Sequence, residues 1–78
     1  MYLTVTMRLR GNDYDIQVDY NLPVERAVRT VCESMRIYEG AALPEFYKSS
    51  QQSRVISGDF TFEQGKIQSG DILAALET

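Results

Sequence analysis

One stretch of the 78-residue chain has the apolar spacing of a helix long enough to organise a core. From Leu22 to Ile37 the chain reads LPVERAVRTVCESMRI, and Val24, Val28, Val31 and Met35 recur at the i, i+4, i+7, i+11 spacing of one helical face. Ala27 and Cys32 widen that stripe, while Glu25, Arg26, Arg29, Glu33 and Arg36 fall on the other side. Pro23 suits a first helical turn, where its missing N–H has no partner to lose. Glu25 near the start and Arg36 near the end complement the helix dipole, and Gly40 offers a stop shortly beyond. At 1.5 Å per residue such a helix runs roughly 20 Å, about the length of a six-residue strand at about 3.3 Å per residue. One helix can therefore cover one face of a short sheet, and the remaining sequence supplies that sheet.

Tyr2 to Leu9 alternates, with Leu3, Val5, Met7 and Leu9 on one face and Thr4, Thr6 and Arg8 on the other. Gly11-Asn12-Asp13 is turn chemistry. Tyr14, Ile16 and Val18 then alternate against Asp15, Gln17 and Asp19, so that the two segments form an antiparallel hairpin. After the helix, Ile37 to Pro44 reads as a connection with Ile37 and Leu43 turned inward. Glu45 to Ser49 has strand character, but Phe46 and Tyr47 are adjacent and the pattern leaves open which faces in. Ser49 to Ser53 is a polar loop, and Arg54 to Ser57 a short strand with Val55 and Ile56 on opposite faces, ended by Ser57-Gly58-Asp59. Phe60, Phe62 and Ile67 read as core anchors in an irregular segment. Gln68-Ser69-Gly70-Asp71 places glycine where a type II turn needs positive φ, and Asp71 to Leu76 is the last strand.

Strands with one apolar face and a single amphipathic helix predict a two-layer α+β domain, residues 1–78, in the order strand, strand, helix, strands. The helix then acts as a crossover, expected to be right-handed. The expected core is Leu3, Val5, Met7, Ile16, Val18, Val24, Val28, Val31, Ile56, Phe62, Ile67 and Leu73.

Charge and composition narrow the function classes. A net charge of −3 argues against a nucleic-acid partner, because phosphate binding draws its affinity from clustered Lys and Arg. With one cysteine and no histidine, neither an internal disulfide nor a zinc-ligand cluster can form, which fits a reducing compartment. Met1 leads straight into a strand pattern rather than a signal peptide, and no apolar run approaches the roughly 20 residues that span a bilayer. The expected location is cytoplasmic, without membrane insertion.

The strand and helix order, the spacing of Phe62 and Ile67, and the run Ile67-Gln68-Ser69-Gly70-Asp71-Ile72-Leu73 resemble a ubiquitin-like β-grasp. The opening Met1-Tyr2-Leu3-Thr4-Val5-Thr6-Met7-Arg8-Leu9, the second strand and the Leu22-Pro23-Val24 approach to the helix resemble the YukD/EsaB family. These are small ubiquitin-like proteins encoded with bacterial type VII, or WXG-type, secretion systems. The resemblance spans most of the chain and is weakest from Ala41 to Ser53. It implies a sheet order of 2-1-5-3-4 and a cytosolic accessory or regulatory component of such a secretion system, acting by binding proteins. The alternative is an unconjugated ubiquitin-like adaptor in another pathway. One departure lies in the core: ubiquitin carries a tyrosine where this chain has Gly65, which implies different packing of that loop.

Catalytic chemistry finds few candidates, and neither an enzyme nor a cofactor is expected. Ubiquitin and its sulfur-carrier relatives act through a C-terminal Gly-Gly, whereas this sequence closes Ala74-Ala75-Leu76-Glu77-Thr78, so covalent conjugation through Thr78 is not expected. Cys32 has no histidine to act as base and lies beside the apolar stripe, as a packed core thiol does. Asn12, Asp13 and Asp15 lack the glycine and distal glutamate of an EF-hand calcium loop. Arg26, Arg29 and Arg36 form the helix's basic run, in which Glu25–Arg29 and Arg29–Glu33 are spaced to pair at i, i+4. The resemblance places Leu73 and Ala75 toward the helix and Ile72, Ala74 and Leu76 on the open back of the sheet. The first strand then lies beside them, adding Tyr2, Thr4, Thr6 and Arg8. An apolar strip rimmed by hydroxyls and a charge suits protein docking, by a partner or by a second copy in a homodimer.

Overall fold

The computed structural model describes residues 1–77, so the expectation concerning Thr78 lies outside the described residues. Five strands and one helix form: β1 Tyr2–Leu9, β2 Asn12–Asp19, α1 Val24–Met35, β3 Phe46–Ser49, β4 Arg54–Ser57 and β5 Ile72–Leu76. They build one mixed sheet in the order β2-β1-β5-β3-β4, with β5 parallel to β1 and antiparallel to β3. This is a ubiquitin-like β-grasp, in the strand order that the resemblance implies.

The β1–β2 hairpin turns on only two residues. Leu9 pairs with Asn12, and Arg10 (φ 49°) and Gly11 (φ 81°) both take positive φ, the requirement of a type I′ turn. Asn12 and Asp13, expected in the turn, are instead the first residues of β2. The inward residues Leu3, Val5, Met7, Leu9 and Val18 are buried as the alternation requires. Ile16 is a correction: it is half-buried, because β2 is an outer strand with no neighbour on one flank.

The helix buries Val24, Ala27, Val28, Val31 and Cys32. Each fully buried aliphatic side chain contributes about 1.5–3 kcal/mol. Pro23 stands one residue before the helix as its N-cap (φ −62°, ψ 142°) and offers no side-chain bond. The first free N–H groups are met by another loop: Val24 donates to the Phe60 carbonyl (2.8 Å) and Glu25 to that of Gly58 (2.9 Å). Phe60 thus serves through its backbone, and its ring is exposed rather than in the core as expected. The helix ends earlier than the glycine signal suggests, because Arg36 itself adopts the left-handed conformation (φ 56°) and its N–H bonds the Cys32 carbonyl. Gly40, also at positive φ, lies within the following connection. Met35, the last residue of the apolar stripe, is exposed. The chain leaves the helix at Arg36, and Tyr38 returns to the core in its place, joined by the partly buried Ile37 and Leu43.

In β3 the question of the two aromatics is settled: Tyr47 is buried and its hydroxyl donates to the Pro44 carbonyl (2.8 Å), while Phe46 is exposed. Ile56, Phe62, Ile67 and Leu73 complete the core. The Gly65 departure has a local reason. A Cβ there would lie 3.1 Å from Ile56 Cγ2, and the Gly65 carbonyl instead accepts hydrogen bonds from Gln52 Nε2 (2.9 Å) and the Arg54 guanidinium (3.0 Å).

Two residues read as loop and turn are buried and bonded to one another. Asp71 accepts from the Ser49 hydroxyl, from the Gln51 N–H (3.0 Å) and from the Ile72 N–H (2.8 Å). Ser49 Oγ in turn accepts the Gln52 N–H (3.2 Å). The β3–β4 turn is thereby tied to the start of β5.

Candidate interaction surface

The face of the sheet away from the helix is built by the register of its strands. Thr6 lies beside Ile72, and Arg8 beside Ala74, across the parallel β1–β5 pair. On the other flank of β5, Lys48 pairs with Ala74 and Phe46 with Leu76. Val55 of β4 follows next to Lys48. Side chains directly opposite in adjacent strands share a face, so Ile72, Ala74 and Leu76 run through a surface that also carries Arg8, Lys48, Phe46 and Val55. Leu73 points to the core and is fully buried, with Ala75 packed against the same cluster, as the alternation of β5 demands.

The expected residues divide into two groups. Ile72, Ala74, Leu76 and Arg8 come together. Tyr2 and Thr4 do not adjoin them directly, because the β1–β5 pairing starts only at Thr6. Thr4 meets the turn before β5 instead: its carbonyl accepts the Gly70 N–H (2.8 Å) and its N–H reaches Ser69 Oγ (3.3 Å). Tyr2, 65% exposed, stands at the far end beside Asp19. Phe46 (48% exposed) and Val55 (52%) extend the apolar strip past Leu76 (42%). Val55 alternates with Ile56 along β4, so the burial of Ile56 turns Val55 outward. Phe46 had no such signal until Tyr47 took the inward place.

Charge on this face is only partly neutralised. Arg8 makes two hydrogen bonds to Asp13 (2.8 and 3.1 Å). That contact holds the guanidinium more firmly protonated and keeps the Asp13 carboxyl below its ordinary range, hydrogen bonding being the largest cause in each case. Asp15 accepts the Thr6 hydroxyl (2.6 Å), so Asp13 and Asp15 are both engaged with side chains of β1. Lys48 has no ion-pair partner among the described residues.

Cys32 is buried, and burial pushes its thiol pKa up, opposed by the nearby Arg10 and reinforced by Glu33. The protonated thiol is a poor nucleophile. On the helix, Glu25–Arg29 forms at 4.0 Å, while Arg29–Glu33 does not appear as a salt bridge among the described residues. The pair that forms has its acid N-terminal to its base, the better orientation.

The fold defines the class: a β-grasp of the ubiquitin-like kind, with the helix on one face of the sheet and the other face open. Among solved structures, the chain is similar to the ubiquitin of Caldiarchaeum subterraneum, at a TM-score of 0.61 and 15% identity, covering 100% of this chain and 98% of that one. Neither a protein-family model nor a curated protein matches the sequence. No helix among the described residues is long and apolar enough to cross a membrane.

Proposed function

We propose that this chain is a non-enzymatic protein-interaction module, a cytoplasmic accessory or regulatory component of a bacterial type VII secretion system. It binds its partner through the open face of the sheet, without covalent conjugation, a cofactor or nucleic acid. The observation that carries this reading is the strip Ile72, Ala74, Leu76, Phe46 and Val55 beside the cations Arg8 and Lys48. Apolar centres with a polar rim are the usual anatomy of modest protein interfaces. The secretion assignment rests on the family resemblance of the first two strands and the helix approach, which is an analogy rather than a property of the site.

Affinity purification from native cytosol and membranes tests it, with the wild-type chain and Ile72→Arg in parallel. Ile72→Arg should leave Tm nearly unchanged and weaken binding of a secretion-machine component by roughly 1–3 kcal/mol, the range for a central interface residue. Capture unaffected by Ile72→Arg but lost on changing Arg26 and Arg29 moves the site to the helix. Recovery of a specific partner from another pathway, still sensitive to Ile72→Arg, favours the adaptor reading.

A further inference from the structure

The sheet has two outer strands, and β2, at eight residues, is the longer; β4 has four. In an antiparallel ladder, an outer strand turns the N–H and C=O of alternate residues toward its partner and those of the others toward open space. The Tyr20 N–H donates to the Met1 carbonyl (2.8 Å), which sets the phase. Val18, Ile16 and Tyr14 bond to Leu3, Val5 and Met7, and the backbone groups of Asp13, Asp15, Gln17 and Asp19 face outward. Of these outward backbone groups, only the Asp19 carbonyl has a backbone partner among the described residues, the Leu22 N–H at 3.0 Å.

Two further features flank this free edge. Toward the helix lies a cleft of about 310 Å³, lined chiefly by Ile16, Val18, Leu22, Ala27, Thr30 and Val31. Toward the open face, the strand carries a row of carboxylates: Asp13, Asp15 and Asp19. Arg8 neutralises Asp13, but Asp15 meets only the Thr6 hydroxyl and Asp19 the Asn21 N–H, with no cation on either among the described residues.

We propose that β2 accepts an additional strand, an extended peptide in which apolar residues alternate with Lys or Arg. Its backbone completes the outward hydrogen bonds, its apolar side chains enter the cleft beside Ile16, and its basic side chains lie against Asp15 and Asp19. Charge selects this occupant over a second copy. Two β2 edges pairing with each other would set their aspartate rows together, and like charges across a strand pair are destabilising. This edge is separate from the strip on β5 and β3, and the proposal goes beyond the proposed function.

A synthetic heptapeptide alternating valine and lysine, titrated into the 15N-labelled protein, tests the proposal, with a valine–glutamate peptide as control. The lysine peptide should shift the Asp13, Asp15, Gln17 and Asp19 amides and slow their hydrogen exchange, and the glutamate peptide should do neither. Gln17→Pro removes only an outward N–H, a position where an outer strand tolerates proline, and should abolish binding. Asp15→Lys, an exposed change, should weaken it about tenfold, and Ile72→Arg should leave it unaltered. Absence of binding, binding indifferent to Gln17→Pro and Asp15→Lys, or shifts centred on Ile72 and Leu76 would each overturn the proposal.

Discussion

The two ends of the β3–β5 pair solve the problem of a buried polar group in opposite ways. At the end where Ser49 and Leu73 pair, Asp71 is fully buried yet surrounded by donors: one hydroxyl and two backbone N–H groups. At the other end, where Phe46 and Leu76 pair, Tyr38 is 8% exposed and its hydroxyl is buried with no hydrogen-bond partner. Its ring is instead covered by the Arg10 guanidinium, 4.1 Å from the centroid, a cation–π contact. The carboxylate is tolerated because donors converge on it, and the phenol because its large apolar ring is worth burying even though its hydroxyl is wasted. Burial of a polar residue therefore says little until its partners are counted.

Moving a carboxylate to a place without donors breaks the comparison most severely. Val28 is fully buried, and Val28→Asp should abolish the cooperative unfolding transition, seen by circular dichroism, since typical stabilities are only about 5–15 kcal/mol. A folded Val28→Asp protein would show that the core accepts an unpaired carboxylate. Next in size, Asp71→Ala strands the donors of Ser49, Gln51 and Ile72 and should cost about 3 kcal/mol in urea denaturation. A loss below about 1 kcal/mol would mean that water or a shift of the turn replaces the carboxylate.

The smallest effects separate the two buried tyrosines. Tyr47 donates to Pro44, so Tyr47→Phe should cost about 1 kcal/mol, whereas Tyr38→Phe should fall within about 0.5 kcal/mol of wild type or stabilise the fold. Tyr47 also has its phenol pKa raised by burial, with Cys32 and Glu25 adding to the effect, and the Cys32 thiol is raised as well. Because both folded-state values lie above the unfolded ones, their contribution is complete below about pH 9 and is lost as pH rises further. Thermal melts should therefore show Tm falling on the alkaline side, and Tyr47→Phe should flatten that fall. A Tm that does not change between pH 8 and 11 would contradict the assignment.

How much could be read from sequence follows from the range of the interaction. The hairpin and α1 declare themselves because their apolar periods run for two or more turns or pleats, and their own residues decide which face is buried. Ile16, Met35 and Phe60 obey the pattern locally but lack cover, being at an outer strand, a helix end and a loop that contributes its carbonyl. Tyr38 and Asp71 carry no periodic signal: one follows an abrupt left-handed helix end, and the other is buried through donors from a turn some twenty residues away. On the candidate face, Ile72, Ala74, Leu76 and Arg8 follow from alternation once β1 is placed beside β5. Phe46, Lys48 and Val55 join them only through β3 on the other flank, a long-range pairing that local composition does not encode.

The central position of β5 has a consequence for how the molecule comes into being. Within the sheet, the β1–β2 and β3–β4 pairs are not neighbours and are bridged by β5, Ile72–Leu76. During synthesis the first four strands and the helix leave the ribosome before the strand that binds the two pairs together. Until then the inner strand edges of both pairs lie unsatisfied, a state open to chaperones and to mispairing. Completion of the sheet therefore waits on β5, and a chain truncated before Ile72 lacks the strand that joins the two pairs into one sheet.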